Sequence, residues 1–517
     1  MLRKPLTIAI AVGFLSWAVL AVSPVFADGE GHVHGPGASS FDPELLSWAA
    51  LSLAGVLAAL VLSRLVLLRE VTRRPSATGE RVGYLTAIRS FSRNARLFLG
   101  YSLLAELGSG IWAVIFNLYL LRAGFPIAFI GTFWLVNMLC HGAAALPAGV
   151  IADRFGRRRA FFIATGISLL AQGALLFTAE PVLILALAGV AGFGEAFHGV
   201  TGAPFMMDNS EAEERPHLFS LNAAFLQVSR FTGNMAGGIL PLLWATTVGL
   251  PALDPGATRW ALVTGLPLTA IALVPLVFMR EKPVELAASF KDMVTLRNVV
   301  NLGVIMRFTA LSLMVGTGFG LTVRFFNVFF ERWHQASDAQ IGTVLGFGAF
   351  AAAGSVLIAP VLAQRWGKAR SIWLTQSLSV PFLLLLAAVP SLAFATAIFL
   401  VRGALYSVGQ PLRNQLSMEF VDSGERGTAA GFTHTAFDLG GGLGAGLAGL
   451  LITNGDFAGT FAVAALLIAV PAYLYYAFFD GMESRKALLA PVEPAFGRAD
   501  AGPTHRASLV PRWFPRR

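Results

Sequence analysis

An all-helical integral membrane protein, built as two pseudo-symmetric halves of six helices each, is the fold class the sequence predicts. Three observations predict it. Of 517 residues, 56% are hydrophobic and only 13% charged, with mean hydropathy +0.68, far from the roughly 25% charge of soluble domains. A basic turn from Gly149 to Arg159, reading Gly-Val-Ile-Ala-Asp-Arg-Phe-Gly-Arg-Arg-Arg, returns in altered form 211 residues later. Finally, with twelve spans drawn through the apolar runs, the loops on one side hold fourteen Lys and Arg, and those on the other hold two, Arg122 and Arg332. Short loops of such charge stay in the cytoplasm. The same asymmetry explains the net charge of +9 without nucleic-acid binding.

Residues 1–27 open with Arg3 and Lys4, run apolar to Val22 and end Val25-Phe26-Ala27. They read as a signal peptide with small residues three and one before the cut, or as an uncleaved span. Residues 28–44 then lie outside. His32 and His34 alternate there, but two imidazoles in a loop make a weak site, so no metal or other cofactor is expected. Residues 45–68 suffice for one additional transmembrane helix, and residues 69–97 form a cytoplasmic linker. Within it Val82, Leu85, Ile88 and Phe91 recur at three-residue steps beside Arg89, Arg93 and Arg96, the pattern of an amphipathic helix on the inner leaflet or of a charged lead-in.

The six-helix halves occupy 98–280 and 303–480, joined by a short basic connector at 281–302. Their spans are expected near 98–121, 127–151, 160–179, 182–206, 218–245, 258–279, 303–329, 340–363, 371–389, 392–412, 428–452 and 457–479. The tail, 481–517, is polar, cytoplasmic and suited to anionic headgroups. Cys140 is the only cysteine, so no intrachain disulfide exists.

The elbow between spans two and three combines four arginines with one acid, Asp153, which opposes the helix dipole and so needs a partner. Gly156 suits a positive-φ helix end and Gly149 a close helix approach. Adding 211 maps Asp153, Arg154, Gly156 and Arg157 onto Gln364, Arg365, Gly367 and Lys368, and Ile130-Gly131-Thr132 onto Ile341-Gly342-Thr343. It also pairs Arg215 with Arg426, Gly233 with Gly444 and Gly238 with Gly449; an offset of 210 pairs Asn117 with Asn327.

With Gly149, Asp153, Arg154, Gly156, Arg157 and Arg158, the sequence resembles the major facilitator superfamily, whose signature between helices two and three is GxxxD(R/K)xGR(R/K). The resemblance covers roughly residues 96 to 480. It implies parallel halves related by an axis along the membrane normal, and spans one, four, seven and ten around a central cavity. It also implies that Asp153 docks at the cytoplasmic seam between the halves; the start of span eleven, around Gly427 and Thr428, offers free backbone donors that favour such an anion. Ser229, Gly233, Gly237 and Gly238 resemble the glycine signature of the antiporter branch, with Asn234 where that signature has proline; a plain small-residue seam fits equally. The family's usual arginine in span four is absent, and Glu195 stands in its place.

Ionisable residues in mid-span cost about 2.5 to 3.5 kcal/mol each on insertion scales and mark function by default. Here they are Glu106, Glu195, Arg230, Arg324, Arg402 and Asp438, with His198 one turn after Glu195. His141 and His434 rank lower, as groups satisfied by helix neighbours. Glu195 and Arg402 each precede a proline by nine residues, Pro204 and Pro411, which suggests equivalent depth and a pair across the cavity.

Neither GxxxxGK(S/T) nor HExxH occurs, and the GxGxxG at Gly444 to Gly449 lies within an apolar helix with no strand before it. ATP-driven transport and zinc proteolysis therefore lose support, the glycines read as close helix contact rather than dinucleotide binding, and no enzyme activity is expected. The expectation is a monomeric secondary transporter of a small organic solute in the cell (inner) membrane, coupled to protons through buried carboxylates, with efflux favoured. A membrane scaffold or enzyme reusing the fold is the alternative.

Overall fold

The computed structural model describes residues 91–211, 214–251, 253–280, 300–422, 425–453 and 455–489. The expected leader, external histidines, additional helix, most of the cytoplasmic linker and of the connector, and the tail from 490 onward lie outside the described residues.

Among the described residues all regular structure is helical. The first half comprises span one (Arg93–Arg122), two (Ile127–Phe155), three (Arg157–Leu175), four (Pro181–Asp208), five (Arg215–Val248) and six, the last in two pieces, Pro255–Ile271 and Leu273–Phe278. Span seven runs Leu302–Thr322, tightens to a 3-10 turn at Val323–Phe325 and resumes as Phe326–His334. Span eight is Asp338–Val356 followed by Ala359–Trp366, restarted at Pro360. Spans nine to twelve are Lys368–Leu386, Leu392–Glu419, Arg426–Thr453 and Phe457–Leu489.

Ten of these are long and apolar enough to cross a membrane when taken alone. The other two are span three, which opens on three arginines, and span five, whose Asn222, Ser229 and Asn234 are buried against protein. Pro204 and Pro411 lie inside their helices rather than ending them.

The elbows are direct helix-to-helix turns. Gly156 (φ +98°) and Gly367 (φ +83°) each close one helix and start the next, a backbone region open to glycine and strained for other residues. The duplication repeats contacts as well as residues. Arg157 pairs with Asp208, and 211 positions on Lys368 pairs with Glu419 at 2.8 Å. Arg215 donates to the Met207 carbonyl at 3.3 Å, and Arg426 to that of Met418 at 3.2 Å.

Between the halves the glycines that match by repeat meet crosswise. A Cβ on Gly131 would lie 2.7 Å from the Gly449 Cα, and one on Gly342 would lie 2.8 Å from the Gly238 Cα. Each contact is the other's image under the repeat. Where lipid removes the hydrophobic drive for helix association, such backbone approach supplies packing in its place.

Among the described residues the halves meet from the far face to mid-membrane. The largest apolar core draws on both, including Val114, Phe116, Phe326, Phe330, Ile341 and Phe347, and lies toward the face opposite the elbows. On the elbow side each half keeps its own core, around Phe98, Tyr101 and Phe161 in the first and Phe308, Tyr475 and Phe479 in the second. The far face is further closed by Arg122, which donates to Asp338 at 2.6 and 2.8 Å, to Glu331 at 3.1 Å and to Thr258 at 2.9 Å. Asn117 donates to its repeat mate Asn327 at 3.1 Å, both buried, and accepts from Trp134 Nε1 at 2.9 Å.

Candidate functional site

The space between the parted halves is lined by the mid-span charges. Glu106 of span one and Arg230 of span five form an ion pair within the first half, with Arg230 half exposed. Glu195 of span four is exposed, yet the charges acting on it come from His141, Arg324, Asp438 and Glu106, on spans two, seven, eleven and one. Its exposure is therefore to a cavity enclosed by helices of both halves.

Arg324 sits in the 3-10 turn of span seven, its guanidinium 4.0 Å from the centre of the Trp134 ring. Its backbone carbonyl accepts from Asn117 at 2.6 Å, so an interhalf hydrogen bond holds the break in the helix. Carbonyls freed where a helix unwinds need such partners inside a bilayer.

Asp438 carries the densest polar contact. Its Oδ2 accepts from His141 Nδ1 at 3.0 Å and from His434 Nδ1 at 3.1 Å. A carboxylate only accepts, so both imidazoles carry their proton on Nδ1. His434 lies one turn away on the same helix, whereas His141 comes from span two of the other half. The Asp438 side chain is 7% exposed and that of His434 68%, so the cluster reaches from packed protein into the cavity. Sequence reasoning ranked both histidines low. The i, i+4 spacing of His434 and Asp438 was the available signal, whereas the His141 contact crosses 297 positions and leaves no periodic trace.

Arg402 is placed otherwise than the proline spacing suggested. Spans four and ten are both 28 residues long, and their ends differ by 211, whereas the prolines differ by 207. Glu195 is therefore the mate of Tyr406, and Arg402 lies one helical turn, about 6 Å, from the equivalent depth. No ion pair joins Arg402 to Glu195. Its guanidinium instead lies 4.9 Å from the Tyr406 ring and 5.3 Å from that of Phe326, and Nε and Nη2 have no hydrogen-bond partner among the described residues. The arginine whose charge does reach Glu195 is Arg324. His198 faces the Tyr101 and Phe161 rings at 5.6 and 5.9 Å, one turn beyond Glu195.

At the elbows, Asp153 contacts Arg157 at 3.4 Å in its own half, and Arg158 donates to the Leu276 and Val277 carbonyls. Nothing among the described residues lies within 4 Å of a Cβ built on Gly149 or on Gly427. The close approach expected at Gly149 is therefore absent in this conformation, and among the described residues Asp153 makes no contact across the seam, because the halves have parted there. In the second half, Arg365 lies over Trp366 at 5.6 Å, the backbone N–H groups of Lys368 and Ala369 donate to Glu483, and Gln364 leaves no carboxylate at the Asp153 position. Asp208 and Glu419, each one of a repeated pair, were missed; the 211 offset relates them directly.

The helices are arranged as in known transporters. It resembles the crystal structure of a mutant of the nucleoside transporter NupG with TM-score 0.63 at 15% identity, over 75% of this chain and 100% of that one. It resembles a D-xylose-proton symporter with TM-score 0.60 at 14% identity, over 76% and 98%. A third likeness is to a bacterial homologue of the human lysosomal transporter Spinster, in an inward-facing and unoccupied conformation, with TM-score 0.57 at 14% identity, over 76% and 96%. No curated protein sequence matches the chain. The Major Facilitator Superfamily model matches residues 97–445 and 334–514. On the repeated elbows, the paired six-helix halves and that match, the chain belongs to the Major Facilitator Superfamily, a family of membrane transporters rather than enzymes.

Proposed function

We propose that the protein is a secondary active transporter of a small organic solute, working as a monomer by alternating access and coupled to protons. On charge asymmetry the elbow face is cytoplasmic, so the conformation described is open inward and closed outward, in a cell (inner) membrane with the C-terminus inside. One observation carries the reading: Asp438, in mid-membrane, is held by His141 of the opposite half. The surroundings of this titratable cluster, and of Glu195 beside it, therefore depend on how the halves meet. A proton bound there has different affinity in the two arrangements, which is the condition for coupling. The Ser229–Gly238 series of span five supports export by exchange.

The test uses purified full-length protein in proteoliposomes, an imposed pH gradient, an internal pH-sensitive dye and a chemically diverse solute panel. Glu195→Gln and Asp438→Asn should express normally, while at least one abolishes solute-driven proton flux. Proton flux of unaltered size and pH profile in both variants would overturn the coupling assignment.

A further inference from the structure

From mid-membrane toward the elbow side of span ten, arginines and aromatic rings alternate along spans seven and ten, with Trp134 of span two at the far end. Arg324 lies on Trp134 at 4.0 Å, Arg402 lies between Phe326 and Tyr406 at 5.3 and 4.9 Å, and Arg413 approaches the other end of Tyr406 at 5.8 Å. None of the three is in an ion pair among the described residues, in contrast to Arg122, Arg157, Arg230 and Arg370. Arg402 is 2% exposed. Its Nε and Nη2, like Nε of Arg324, are buried and lack a hydrogen-bond partner among the described residues, and so is the Tyr406 hydroxyl.

A guanidinium withdrawn from water loses far more than ring faces return. The acids nearby do not make up the difference. Glu106 is committed to Arg230 and Asp438 to two histidines, which leaves Glu195 as the one uncommitted cavity carboxylate among the described residues, against three arginines. We infer that this strip is the recognition site of the transported solute, and that the solute is a small organic anion whose carboxylate meets Arg402 while a flat ring stacks against the strip. The inference rests on reading the cavity as a solute path and adds the substrate class. Guanidinium geometry suits it on both counts. A planar fork matches a carboxylate in two hydrogen bonds, and its free face stacks on a ring. The position also fits: Arg324 is carried by the 3-10 break of span seven, and interrupted helices at mid-membrane are where transporters expose groups to a ligand.

The experiment compares benzoate with benzylammonium, benzyl alcohol and inorganic sulfate, by thermal shift on full-length protein in nanodiscs and by flux in proteoliposomes. Benzoate should stabilise the wild type, and the other three should do so at least about tenfold less tightly, the value of losing a hydrogen bond to a charged group. Arg402→Gln should lose the benzoate response, with Arg402→Lys restoring part of it. Equal stabilisation by benzylammonium, benzyl alcohol or sulfate, an unchanged benzoate response in Arg402→Gln, or no benzoate response at all would overturn the inference. The wild-type comparison decides even if that variant fails to fold. Benzoate binding without flux leaves the site standing and removes the transport reading; flux of the alcohol or the amine without benzoate binding does the reverse.

Discussion

Replacing Asp338 by Asn should open the far face. Arg122 and Asp338 belong to different halves, are 7% and 9% exposed at their side chains, and share two hydrogen bonds of 2.6 and 2.8 Å. A hydrogen bond to a charged group is worth about 1.5 to 3 kcal/mol. Two are weakened here, and the loss is tempered because Glu331 at 3.1 Å still offers Arg122 a counter-charge. About 2 to 3 kcal/mol should therefore leave the far-closed state, a roughly 30- to 150-fold shift in its equilibrium with the far-open one. Spin labels at Phe155 and Trp366, with Cys140 changed to Ala, read this shift. Both positions are exposed, at 54% and 39%, and they are repeat mates on the elbow ends of spans two and eight. The distance between them shortens as the elbow side closes. Asp338→Asn should move population from the long to the short distance. A lower Tm with an unchanged distance distribution would refute the reasoning, because the contact would then hold the fold in either state.

Three further outcomes follow from the geometry. Gly342→Ala forces a Cβ to 2.8 Å from the Gly238 Cα and should cost about 1 to 3 kcal/mol by overpacking, whereas Gly149→Ala, with open space around it, should leave Tm within the error of the scan; equal effects would contradict the crosswise contact. Asp153→Asn should leave Tm nearly unchanged, since its partner Arg157 keeps Asp208, yet reduce the elbow-closed population in the same spin-label assay, and no change in that population would argue against a seam role. Asp438→Asn removes the charged acceptor that His141 and His434 share across the halves, so the attraction between spans two and eleven should weaken. Chemical labelling of Cys140, one residue before His141, should at one fixed pH be faster in Asp438→Asn than in the wild type, and an equal rate would argue against a contact that holds the two spans together.

Much of the fold was legible because it is written twice. The elbow, Gly131 with Gly342, Gly238 with Gly449 and Asn117 with Asn327 all appear as matches at a nearly constant offset, and each takes part in a symmetric contact. The cavity charges resist this treatment because they are not duplicated: Glu106, Arg230 and Asp438 have Gly316, Gly441 and Gln227 at the equivalent positions. Proline spacing misled at Arg402, since a proline inside a helix marks a kink whose position drifts, while helix ends fixed by Asp208 and Glu419 keep register. The histidines of the Asp438 cluster gain meaning only when spans two and eleven are brought together.

The Asn117–Asn327 contact has a further consequence. Because each asparagine occupies the same place in its own half, their hydrogen bond lies on or very near the axis that exchanges the halves, much as the centre of a two-fold dimer interface brings a residue against its own copy. Points on such an axis travel least when one half rocks against the other. The bond also engages the backbone of the span-seven break through Arg324, and the ring that stacks on that arginine through Trp134. The spot that such rocking would displace least is thus bonded to the backbone of Arg324 and to the ring beneath its guanidinium, so a ligand drawn to that arginine would bear on the point about which the halves would turn.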